Sequence, residues 1–94
     1  MKVILKPEAE ETVLEICDFI ESINTEDSGS RWLDKISAFL TSYAKSNVQY
    51  VLCRNESFAA DGLTCITFNG WVIAFRIEGD EFVVYQIVRG SLLQ

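Results

Sequence analysis

The chain has 94 residues, 49% of them hydrophobic and 12% aromatic, with one Pro and five Gly. That is enough apolar surface for one domain over 1–94, too much for a disordered tail or a collagen-like array, and too short a chain for a large enclosed active-site cavity. A formal charge of −6, from 14 acidic against 8 basic residues, has the wrong sign for a protein held on phosphate backbones and argues against RNA or ribosome binding.

Lys2 to Lys6 carries the apolar run Val3-Ile4-Leu5 and is closed by Pro7, which suits the first position of a helix; the reading is strand, then helix. Glu8, Glu10 and Glu11 oppose the positive end of that helix's dipole, while Ala9, Val13, Ile16, Cys17, Ile20 and Ile23 recur at spacings of three and four as one buried face. From Pro7 to Ser30 there are eight carboxylates and no Lys or Arg, which reads as a solvated helix face and could also attract a basic partner. Asn24 to Ser30 is a polar loop with Ser28 or Ser30 available as a cap. A second helix then runs to about Ser46, with the stripe Trp32, Leu33, Ile36, Phe39, Leu40 and Tyr43 facing the same core, so the two helices form an antiparallel pair.

Beyond Asn47 the pattern turns to β-branched and aromatic runs bounded by turn residues. Val48 to Cys53 is a possible strand, and Asn55 to Gly62 reads as irregular. Leu63 to Phe68, Asn69-Gly70 and Trp71 to Ile77 form a strong hairpin signal, because Asn-Gly readily takes the positive φ angles of a two-residue turn. Gly79-Asp80 marks a second turn, into a last strand from Phe82 through Val88. Pairing Phe68 with Trp71 and Ile77 with Phe82 separates two faces. Ile66, Phe68, Trp71, Ile73, Phe75, Ile77, Phe82, Val84 and Val88 face the helices. Leu63, Cys65, Thr67, Val72, Ala74, Arg76, Val83, Tyr85, Ile87 and Arg89 form an open face, where two arginines on an apolar surface suggest an interaction site. The same register sets Glu78 opposite Glu81, an unfavourable pair that a four-residue loop would relieve.

Three cysteines, Cys17, Cys53 and Cys65, are an odd number without a CxxC spacing, and the chain has no histidine. No metal site and no cofactor are expected, His-dependent nucleophilic chemistry is excluded, and reduced thiols in the cytoplasm are the natural reading. No apolar run reaches the roughly 18 residues of a membrane span.

The order strand, helix, helix, antiparallel meander resembles the RelE/ParE superfamily, the toxins of bacterial toxin-antitoxin (plasmid-stabilisation) pairs. The similarity is strongest from Gly70 to Gly90: a Gly-aromatic step, alternating apolar residues, the acidic turn Glu78-Gly79-Asp80-Glu81, a last apolar strand and a closing Gly. Lys6-Pro7-Glu8-Ala9-Glu10 is similar to the family's entry into its first helix. The resemblance implies an α+β fold with the helices on one sheet face and an antitoxin as partner. For the ribonucleases of the family it also implies basic residues and a tyrosine on the open face, here Arg54, Arg76, Tyr85 and Arg89. Yet Val72, Ser91 and Leu92 stand where those enzymes carry basic residues, so the expectation is weak or lost ribonuclease activity. Phe75-Arg76 resembles the ParE branch, whose members inhibit gyrase. The leading expectation is a toxin-like protein that docks an antitoxin peptide on Val72, Ala74, Val83, Tyr85 and Ile87, oriented by Arg76 and Arg89. A non-toxic binding module or homodimer on the same fold is the alternative.

Overall fold

The computed structural model describes residues 2–24, 27–45, 53 and 55–90. A short strand, β1 (Lys2–Leu5), leads into α1 (Pro7–Ile23), with Pro7 at the start of the helix and Glu8 and Glu10 in its first turn. α2 (Ser28–Lys45) follows and returns along α1; its first helical hydrogen bond runs from the Arg31 N–H to the Asp27 carbonyl at 3.0 Å. Ser28, read as a cap, instead sits inside the helix, and its hydroxyl donates to the Ile20 carbonyl of α1 at 3.3 Å. Beside it Gly29 allows the two helices to touch: a Cβ there would lie 2.7 Å from the Cys17 carbonyl oxygen. Ser46, where the second helix is expected to end, lies outside the described residues, and so does the possible strand Val48 to Cys53 apart from Cys53, which is not in a strand.

The remaining elements are α3 (Glu56–Ala60), β2 (Thr64–Phe68), β3 (Trp71–Glu78) and β4 (Glu81–Arg89). α3 corrects the irregular reading of residues 55–62. Asn55 caps it, its Oδ1 accepting from the Phe58 N–H at 3.1 Å, and five residues are too few to show a helical period in the sequence. The four strands make one sheet in the order β1-β4-β3-β2, with β1 parallel to β4 and the other pairs antiparallel. The β2–β3 turn is the expected Asn69-Gly70, both with positive φ, +50° and +82°.

α1 and α2 pack on one face of this sheet. Phe75 and Phe82 stack there with centroids 4.1 Å apart, and Ile36, Ile73, Val84, Ala9 and Val13 close around them. Along α2 the series Trp32, Ile36, Leu40, Ala44 takes the buried line. That leaves Leu33, about 100° round the helix, on the flank, partly exposed. Ile23, read as core, is 63% exposed in the last turn of α1.

The register of β4 departs from strict alternation. Ile77 opposes Phe82 and Phe68 opposes Trp71, as the sequence predicts, but Phe75 pairs with Val84 while Ala74 pairs with Gln86. Tyr85 is the extra residue of a β-bulge, and every side chain beyond it changes face. Ile87 therefore opposes Ile73 in the core under the helices, 3% exposed, and Arg89 opposes Trp71 with its guanidinium carbon 5.0 Å from the indole centroid. Val88 moves the other way and packs on the far face.

Candidate partner-binding face

The face turned away from α1 and α2 is not the open apolar surface the alternation implies. Cys53, Phe58 and Leu63 fold over it and form a second small core with Ala74, flanked by Cys65, Tyr85 and Val88. Of the residues expected to receive a partner, Val72, Ala74 and Val83 are buried, Ile87 and Arg89 lie on the helix side, and Arg76 and Tyr85 remain accessible. Arg54 lies outside the described residues. The bulge thus separates the expected arginine pair: Arg76 and Arg89 stand on opposite faces. One signal of this was in the sequence. Strict alternation would have put Gln86 among Phe82, Val84 and Val88 in the core, where an amide without partners is costly.

The second core also corrects the reading of three free thiols. Cys53 and Cys65 are joined as a disulfide, with Cα atoms 4.9 Å apart, and Cys17 alone is free. Cys53 is a neighbour of Leu63 through backbone as well, its N–H donating to the Leu63 carbonyl at 3.0 Å. The Cys17 thiol, partly buried on α1, is pushed above its ordinary pKa by burial and then by Glu21 and Asp18.

What remains on the far face is a polar cluster centred on Tyr85. Arg76, next on β3 after Phe75, and Glu78, two residues further along, share this side of the strand. The Tyr85 hydroxyl donates to Glu78 Oε2 and accepts from Arg76 Nη2 at 2.9 Å. Arg76 Nη2 also reaches Glu78 Oε2 at 3.3 Å, and its Nη1 donates to the Asp61 carbonyl beyond α3 at 3.2 Å. Lys6 holds its ammonium 5.1 Å from the Tyr85 ring centroid, and the Arg76 guanidinium lies 5.3 Å from it. This arrangement also accounts for the Glu78–Glu81 pair, which persists across the two-residue turn: Glu78 is held by Tyr85 and Arg76, and Glu81 has Lys2 of β1 opposite it.

Hydrogen bonding dominates the titration of the cluster. The Tyr85 hydroxyl holds the Glu78 carboxyl below the ordinary carboxylate range; desolvation opposes it, and Arg76 and then Lys6 add to the lowering. Donation to that carboxylate, and then desolvation, pushes the Tyr85 phenol above its ordinary value. A phenol that transfers a proton in a reaction needs its pKa moved towards neutrality; this one is moved away. Arg76 is likewise compensated by Glu78, whereas stabilising a phosphoryl transition state takes an uncompensated cation.

Beside the cluster lies a cleft of about 290 Å³ between the start of α1 and the turn after α3, lined by Lys6, Pro7, Glu8, Phe58, Asp61, Leu63, Tyr85 and Gln86. Its floor is mixed, aromatic and aliphatic from Phe58 and Leu63, polar from Tyr85 and Gln86. No family model and no curated protein matches the chain. Among the described residues no group of His, Cys, Asp and Glu could hold a metal ion, and no helix is long and apolar enough to cross a membrane.

Proposed function

We propose that this chain is a toxin-like, partner-binding protein of the RelE/ParE type. It holds an antitoxin-like segment at the Lys6–Tyr85–Gln86 cleft and does not cut RNA. The observation that carries the non-catalytic half is the closed Arg76–Glu78–Tyr85 cluster: its one arginine is neutralised, and its tyrosine is tuned to keep its proton. The partner-binding half is supported by the resemblance from Gly70 to Gly90, by the order of strand, helices and meander, and by the cleft next to the cluster. Burial of Val72, Ala74 and Val83 moves docking from the middle of the sheet face to this rim. There Tyr85 and Phe58 offer apolar contact, and Lys6 with Glu8 and Asp61 offers charges of both signs to a peptide.

The test is induced expression in bacteria of the wild type beside a Lys6→Glu, Gln86→Ala variant of matched solubility, with ribosome-bound transcript and plasmid supercoiling assayed in parallel. Growth arrest by the wild type alone, with transcript left intact, supports the proposal; reduced supercoiling in the same cells would identify gyrase as the target. Transcript cleavage would overturn the non-catalytic half. Absence of arrest would favour the second reading, a non-toxic binding or homodimeric module, which the charge of −6 and the neutralised Arg76 favour and which sedimentation at rising concentration would examine directly.

A further inference from the structure

The loop from Cys53 to Cys65 is closed by the disulfide, its ends 12 positions apart in sequence, and it carries α3 and the turn at residues 61–62. Its contribution to the far face rests on two large side chains, Phe58 at 8% and Leu63 at 2% exposure, laid over Ala74. A helix of five residues has no stability of its own in water, so its place on the sheet depends on those contacts and on the cross-link at the loop's ends. The cross-link is anchored at one end in β2, one of the two edge strands of the sheet, through the partly exposed Cys65, and at the other in the buried Cys53. The loop also reaches the polar cluster, because the Asp61 carbonyl accepts from Arg76. Free Cys17 offers no internal exchange partner: α1 packs on the opposite face of the sheet, and burial with two neighbouring carboxylates keeps the thiol protonated.

We propose that Cys53–Cys65 is a redox modification site that latches this loop, so that a dithiol reductant opens the far face of the sheet and a disulfide oxidant, which takes the two electrons and two protons and leaves as two thiols, closes it. In the opening step a thiolate of the reductant attacks the Cys65 sulfur, the more exposed of the two. The S–S bond breaks, and Cys53 leaves as a thiolate that takes up a proton. The reductant's second thiolate then displaces Cys65 from the mixed disulfide, and Cys65 is protonated in turn. Two electrons and two protons have passed to the cysteines, and the reductant leaves as its own disulfide. The loop then lifts, uncovering Ala74 and one flank of Tyr85. A standing latch requires an oxidising compartment, and one that cycles requires a dithiol partner. The consequence for docking rests on the function proposed above, since Phe58 and Leu63 form one wall of that cleft.

The experiment is amide hydrogen exchange on the full chain, oxidised with glutathione disulfide or reduced with dithiothreitol, beside a Cys53→Ser, Cys65→Ser variant and a Cys17→Ser control. Thiol titration should count one free thiol in the oxidised chain and three in the reduced one. On reduction, the amides of Phe58, Asp61, Gly62 and Leu63 should exchange faster by about 10- to 100-fold, with Phe75 and Val84 unchanged. Three thiols after oxidation would overturn the proposal. So would equal loop exchange in the two states, which would make the bond a passive staple, or loss of protection across the whole sheet, which would make it a condition of folding. If the double variant fails to fold, the reduced wild type decides alone. No partner enters the measurement, so it can fail while the growth assay succeeds, and the reverse.

Discussion

Tyr85 sits between a carboxylate and a guanidinium, and the sign of each shift sets where the cluster contributes. Glu78 is more acidic in the folded chain than in the unfolded one. Its contribution is complete above the ordinary carboxylate pKa of about 4 and is lost as the pH falls through the lowered folded value. Tyr85 is shifted upward, so its contribution is complete below about 10 and is lost as the pH rises through the raised value. Between those edges the cluster is closed. Arg76 and Glu78 are 45% and 38% exposed, so solvent screens their direct attraction, and the hydrogen bond from Tyr85 is the principal cause of the Glu78 shift. Tyr85→Phe keeps the ring beneath Lys6 and Arg76 and removes only the hydroxyl. In that variant the Glu78 carboxyl should titrate closer to its ordinary value, followed by the side-chain carboxyl carbon signal in an NMR titration. An unchanged Glu78 titration would show that Arg76, not Tyr85, governs it.

At the scale of elements, the bulge in β4 decides which side chains meet. Deleting Tyr85 removes the extra residue, so that Gln86 follows Val84 directly in a regular ladder and Ile87 and Arg89 keep their places opposite Ile73 and Trp71. The placement of Ile87 is tested by Ile87→Ala: emptying that site under the helices should cost about 2–5 kcal/mol, read as a lower urea midpoint. Asn55→Ala acts more locally: losing the cap on α3 should speed exchange of the Phe58 to Gly62 amides about fivefold, leaving β3 untouched. These two features also mark the limit of what the sequence discloses. Pro7, the Asn69-Gly70 turn and the apolar spacing of α1 and α2 are local signals with one physical meaning each, and the helices, the hairpin and the Phe68–Trp71 register follow from them. The bulge is set by tertiary packing, and only the misfit of Gln86 in an alternating core hinted at it. Strict alternation along the strand places Arg89 beside Arg76, and the single inserted residue moves half of the expected charged site to the other side of the sheet. The pairing of Cys53 with Cys65 was equally hidden, since an odd cysteine count and a spacing of 12 fit free thiols as well as a bridge.

Across the whole molecule, charge is distributed as unevenly as the sequence implies. Glu8, Glu10, Glu11, Glu15, Asp18 and Glu21 are all exposed on α1, and no basic residue lies in that helix's last turn to meet the negative end of its dipole. On the far side of the sheet, Arg76 and Lys6 gather around Tyr85. Repulsion along α1 belongs to the folded state, where six carboxylates are held on one helix, and is weaker in the extended unfolded chain. Screening should therefore stabilise the protein: raising sodium chloride from about 0.02 M to about 0.5 M shortens the screening length from tens of ångströms to a few, and Tm should rise. Ser22→Lys isolates the helix-end part of this effect. Ser22 is exposed in the last turn, its hydroxyl donating to the Phe19 carbonyl of its own helix, and a lysine there meets both the dipole and the neighbouring carboxylates. The gain should be about 0.3–1 kcal/mol at low salt and should shrink as salt is added. A gain that is the same at both salt concentrations would trace to helix propensity, and the field along α1 would then have no part in setting the stability of the fold.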